Sequence, residues 1–135
     1  MSARYKARRK AIDLLYEGDI RKISPSTLLL ERGAGELIES AYVSVLINGV
    51  LAHQSRIDEF LIAYTEAWDL DRIPALDRNI LRLALFEMLW GGVEDAVAIS
   101  QAVELATELA GENSSKFING VLGRISAIKG ALPLD

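Results

Sequence analysis

The chain has 135 residues, half of them apolar, a formal net charge of −4 and no cysteine. That length bounds one domain, residues 1–135, burying about two thirds of the surface its unfolded chain would expose. The lack of cysteine excludes a disulfide framework, thiolate catalysis and a cysteine zinc site, and fits a reducing cytoplasm.

The charge is unevenly placed. Residues 1–22 carry seven cations (Arg4, Lys6, Arg8, Arg9, Lys10, Arg21, Lys22) against three carboxylates (Asp13, Glu17, Asp19), a local net +4, so the rest of the chain sums to −8. A basic arm on an acidic body suggests an anionic partner, although a solvated, frayed terminus has the same composition. No apolar signal-peptide core follows it.

In chain order, residues 3–19 read as a first helix. Ala7, Ala11, Leu14, Leu15 and Gly18 form its buried stripe, with Lys6, Arg9 and Lys10 turned away and Arg8 on a flank. The cations then sit on a docked helix rather than a loose tail. Tyr5 and Tyr16 fall off the stripe, where an aromatic either stacks on unpaired bases or covers a core edge. Ser24-Pro25 is a helix-start signal, a capping serine before proline at the first helical position. The short helix it opens runs to about Glu31 and is closed by Gly33 and Gly35.

Residues 36–53 predict a longer helix that buries Leu37, Ile38, Ala41, Tyr42, Val45 and Leu46. Ser55-x-x-Asp58 resembles a capping box and predicts a break or kink there. Ile57, Phe60, Leu61 and Tyr64 carry the stripe on to about Ala67, with Trp68 expected to pack at its end. The stretch from Ile73 to Gly91 is apolar on nearly every side in its second half, which marks a buried central helix. Arg82 and Glu87 interrupt it, leaving it too short for a bilayer. Pro74 suits its first turn and Gly91-Gly92 its end.

Ile99, Ala102, Val103, Ala106 and Leu109 define the next helix, ended by Gly111. Asn113-Ser114-Ser115 supply caps for a last helix burying Ile118, Val121, Leu122 and Ile125. Gly120 and Gly123 weaken a helix unless close helix–helix contact requires them. The fold class is therefore all-α, a bundle of six or seven helices.

Little here suggests catalysis. His53 is the only histidine and lies on an apolar face with Ile57 and Phe60, so no triad or histidine zinc site can form. Asp58-Glu59 and Glu94-Asp95 are adjacent pairs that point apart on a helix. No phosphate-binding glycine loop is present, and no cofactor or metal is expected. Three features stand out instead. Glu87 is a carboxylate in an apolar helix, either paired with a core cation or facing a partner. Arg78 and Arg82 share a helix face and need neutralising, by an acid of the chain or by a phosphate. Asn113 to Gly120 opens a helix with free N–H donors, Lys116 and Phe117, a place where anions bind readily.

Four ordered blocks carry a resemblance. Lys6-Ala-Arg-x-x-Ala-Ile-x-Leu-Leu-Tyr16, Asp77-Arg-x-Ile-Leu-Arg-Leu-Ala-Leu-Phe-Glu87, Ala98-Ile-x-x-Ala-Val-Glu-Leu-Ala106 and Ser115-Lys-Phe-Ile-Asn-Gly-Val-Leu122 resemble the NusB family of transcription antitermination factors across nearly the whole chain. The last block is the most specific. The resemblance implies an all-helical, non-enzymatic cytoplasmic protein that binds boxA single-stranded RNA in nascent ribosomal RNA. It implies a partner, NusE, a small-subunit ribosomal protein, and a place in the RNA polymerase antitermination complex. By the same resemblance Arg4, Lys6, Arg8, Arg9 and Lys10 face RNA, joined by Asn113, Lys116 and Phe117, with Asp77 and Arg78 near it. Glu87, bordered by Tyr16, meets NusE, and a homodimer would hide the basic helix.

The chain departs from the family pattern at three places. Glu94 stands where a proline is usual, Ser100-Gln101-Ala102 replaces Asn-Glu-Ala, and Asn113 replaces a frequent acid. Two other classes remain possible: an assembly module whose basic helix recruits an acidic protein, and a detached relative of the NusB-like domain carried by some ribosomal RNA methyltransferases. The latter lacks a catalytic cysteine and a cofactor loop here.

Overall fold

The computed structural model describes residues 1–67 and 69–134. The expectation for Trp68 lies outside them. Six α-helices follow one another: α1 Ala3–Arg21, α2 Pro25–Arg32, α3 Ser40–Tyr64, α4 Ala75–Leu89, α5 Asp95–Leu109 and α6 Glu112–Ile128. Single 3₁₀ turns lie at Leu70–Arg72 and Lys129–Ala131, and no strand forms among the described residues.

The central helix is where its composition predicts. α4 is buried without a break from Asp77 to Leu89 and packs against α1, α3, α5 and α6. An apolar helix needs cover on every side, and a surrounding bundle supplies it. Gly49 lets α3 approach α4 closely, because a Cβ built there would stand 2.2 Å from the Phe86 ring. No described helix is long and apolar enough to cross a membrane.

Several local expectations give way to tertiary contacts. α3 runs straight through Ser55–Asp58, because both Asp58 carboxylate oxygens accept from Arg82 (2.9 and 3.0 Å) instead of capping a helix. Its start lies later than expected, so Ile38 is 92% exposed, and Val45 also faces out. Ser24 caps α2 through its backbone carbonyl, which accepts from Thr27 and Leu28, and its hydroxyl makes no cap bond.

Gly111, at φ +110°, ends α5 with its N–H on the Ala106 carbonyl and is also the N-cap of α6. Asn113, Ser114 and Ser115 therefore lie in the first turn of α6, not at its cap. Gly120 and Gly123 make no close helix contact, since a Cβ at either would meet nothing within 4 Å. Glycine there weakens α6 by roughly 0.5–1 kcal/mol relative to alanine with no packing reason.

Candidate nucleic-acid interface

The cations of α1 separate into two sets. Arg8 is 4% exposed, which corrects its placement on the RNA-facing surface. Its Nε donates to both carboxylate oxygens of Glu87 (2.9 and 3.0 Å) and its Nη1 to Gln101 Oε1 (3.1 Å). The Tyr42 hydroxyl donates to the same carboxylate. Burial, then the hydrogen bond to Glu87 and its charge, push the Tyr42 phenol up to about 12. Glu87 is 1% exposed, so of its two open readings the core pair is the one found. Gln101, one of the departures from the family pattern, completes the cluster by accepting from Arg8.

Lys6 and Arg9 are exposed and Lys10 is half-buried. Arg9 pairs with Glu108 at the end of α5, and the Tyr5 hydroxyl donates to that carboxylate too. Tyr5 is 2% exposed, not on an open basic face; its aromatic ring fills core while its hydroxyl reaches the edge. Burial first, then the bond to Glu108, raises its phenol well above the ordinary tyrosine range. Arg4 lies 3.8 Å over the Tyr42 ring and 3.9 Å from Glu39. Tyr16 is exposed on α1.

The start of α4 is likewise buried. Arg78 donates to Asp19 Oδ2 from Nε (3.0 Å) and Nη2 (2.8 Å), and from Nη1 to the Leu70 and Ile73 carbonyls (2.8 and 3.0 Å). It thereby fastens the connection before α4 to the end of α1 and is enclosed rather than exposed. The acid neutralising Arg78 and Arg82 comes from the chain itself: Asp19 reaches both, and Asp58 takes Arg82. Burial pushes the Asp19 carboxyl up, but hydrogen bonds from Arg78 and Asn79 and the charges of Arg78 and Arg82 hold it below the usual carboxylate range. Asp77 is 6% exposed. Burial raises its carboxyl, opposed by a hydrogen bond from Ser114 in α6.

These links bring Arg9, Asn113 and Lys116 toward one edge. Arg9 joins α1 to Glu108, the chain turns at Gly111 into Asn113 and Lys116, both exposed, and Ser114 joins that turn to α4. Phe117 is half-buried beside them. Sequence reading marked Gln101 only as a departure from the family pattern and did not single out Glu108 or Arg124. Gln101 and Glu108 act through partners on another helix, which periodicity cannot reveal. Arg124 falls seven residues after Phe117, a helical spacing that does put both on one face.

An all-helical domain whose basic first helix stands on an acidic body has the uneven charge that an anionic partner reads. Comparison with known proteins agrees. The sequence model of the NusB family matches residues 5–127. The chain is 48% identical over 132 residues to the transcription antitermination protein NusB of Saccharopolyspora erythraea, covering 95% of this chain and 89% of that one. It superposes on T. maritima NusB with TM-score 0.85 at 30% identity, covering 94% and 92% of the two chains. A crystal structure of antitermination factors NusB and NusE in complex with double-stranded RNA matches with TM-score 0.80 at 28% identity, covering 98% and 99%. The chain belongs to the NusB family, a family of transcription antitermination factors and not of enzymes.

Proposed function

We propose that this single-domain protein acts in the cytoplasm, binding boxA-type single-stranded RNA of nascent ribosomal RNA together with NusE and promoting processive transcription of ribosomal operons within the RNA polymerase antitermination complex. The observation that carries the reading is the division of cations. Arg8, Arg78 and Arg82 are enclosed with acids, while Lys6, Arg9 and Lys10 stay at the surface of α1, where Arg9 reaches Glu108 shortly before the turn that bears Asn113, Lys116 and Phe117. The solved relative containing NusE and RNA supports a shared binding surface. Its RNA is a duplex; half-buried Phe117 favours unpaired bases here, because stacking needs free base faces.

In this reading Arg4 and Asn113 flank the RNA path, and Asn113 spares an approaching phosphate the charge of an acid. Asp77 and Arg78 shape the edge from beneath, and NusE docks beside Tyr16. Glu87 serves that surface by holding α1 through Arg8. A homodimer covering α1 would compete with RNA.

Neutralising Lys6, Arg9 and Lys10 together to glutamine tests the assignment by salt titration of a labelled leader RNA. Each lost phosphate contact lowers the slope of log affinity against log salt by about 0.7 for a single strand. The triple variant is expected to lose about two from the slope while keeping the wild-type melting temperature. Unchanged RNA affinity would remove the arm from the interface and favour an assembly module.

A further inference from the structure

Beyond Phe117, the end of α3 and the exposed side of α6 enclose a groove of about 320 Å³, in the lower range of small-ligand clefts. Tyr64 and Phe117 supply its rings, Lys116 and Arg124 its cations, Glu66 one acid and Gly120 bare backbone. The groove is thus net positive on an acidic body. Arg8, Arg9, Arg78 and Arg82 are each paired with a carboxylate of the chain, and Lys116 lies 3.7 Å from exposed Glu112, whereas the Arg124 guanidinium lies over the Tyr64 ring, 5.8 Å from its centroid. Gly120 weakens α6 with no packing reason, and local rules are broken most often where function requires it.

We propose that this groove takes an unpaired nucleobase and its phosphate, extending the RNA path from Lys116 along α6 to Arg124 and Tyr64. The inference rests on the RNA-binding reading above. A base stacks against the aromatic walls, tolerant of sequence because every base has a π-face. Arg124 and Lys116 neutralise the adjoining phosphate. The absent side chain at Gly120 leaves the floor open to the backbone of the strand.

The test is fluorescence anisotropy of a labelled single-stranded leader RNA with the full chain, each variant checked by thermal unfolding. Arg124→Ala is expected to weaken binding about three- to tenfold and reduce the salt slope by about 0.7. Tyr64→Leu should weaken it about five- to tenfold with no change of slope, as loss of a stacked base requires. Gly120→Glu projects a carboxylate into the groove from an open helical position, so it should retain or raise the melting temperature while weakening RNA at least about tenfold.

A folded Gly120→Glu variant with wild-type RNA affinity would overturn the proposal. So would variants that spare RNA and weaken NusE alone, which would make the groove a protein interface. If the α1 triple variant loses RNA while the groove variants keep it, the RNA-binding reading stands and this extension falls. If the wild-type chain does not prefer leader RNA to a scrambled strand, both fall.

Discussion

Glu87→Ala is expected to destabilise the protein by about 3–5 kcal/mol, the cost of leaving a buried charge without its partner. Arg8 would stay inside the bundle at 4% exposure with only Gln101 to accept from it, and Tyr42 would lose its acceptor. For a domain of this size the melting temperature should fall by roughly 10–20 °C. The double replacement Arg8→Met, Glu87→Leu should recover most of that loss, because apolar residues of similar volume fill a buried pair's place at little cost. Thermal unfolding of the three proteins checks this. A single variant melting within about 2 °C of wild type would show that the pair is not structural. NusE binding by Glu87→Ala is informative only at a temperature where the variant is folded.

The second large effect concerns Asp19, whose Oδ2 accepts from Arg78, Asn79 and Arg82. Asp19→Ala should cost about 2–4 kcal/mol, less than a fully enclosed pair, because the Asp19 side chain is 19% exposed and Arg82 retains Asp58. The same cluster makes stability depend on pH. Asp19 is more acidic folded than unfolded, so below the ordinary aspartate value of about 3.9 the unfolded chain binds the proton more readily. Its contribution is complete above that value and is lost as pH falls through the lower folded value. Urea midpoints between about pH 6 and about pH 2.5 should therefore show a steeper acid loss for wild type than for Asp19→Asn. Parallel curves would contradict the role of the cluster.

What could be read before folding was what periodicity encodes. The stripe Ile118, Val121, Leu122 and Ile125 is buried as its spacing predicts, and the all-round apolar pattern of α4 does mark the centre of the bundle. What could not be read were pairings across helices. Arg8 sits on the flank of the α1 stripe, and nothing local distinguishes it from Arg9; a facing carboxylate on α4 encloses one, and one at the end of α5 leaves the other exposed. Asp58 looks like a helix cap until Arg82, on a different helix, is brought against it. For the candidate site, the family resemblance supplied the residues expected to face RNA, and tertiary pairing decides which of their cations reach the surface. Asp77 shows the same limit: its sequence position at the start of α4 suggests access, yet Ser114 and the surrounding bundle cover it.

The most direct test of the central claim is equilibrium binding of the intact protein to an operon leader RNA containing a boxA-type element and to a scrambled strand of equal length, each with and without purified NusE at fixed salt. The account predicts preference for the leader strand, and further tightening when NusE is present. Equal affinity for the two strands, with no effect of NusE, would contradict it.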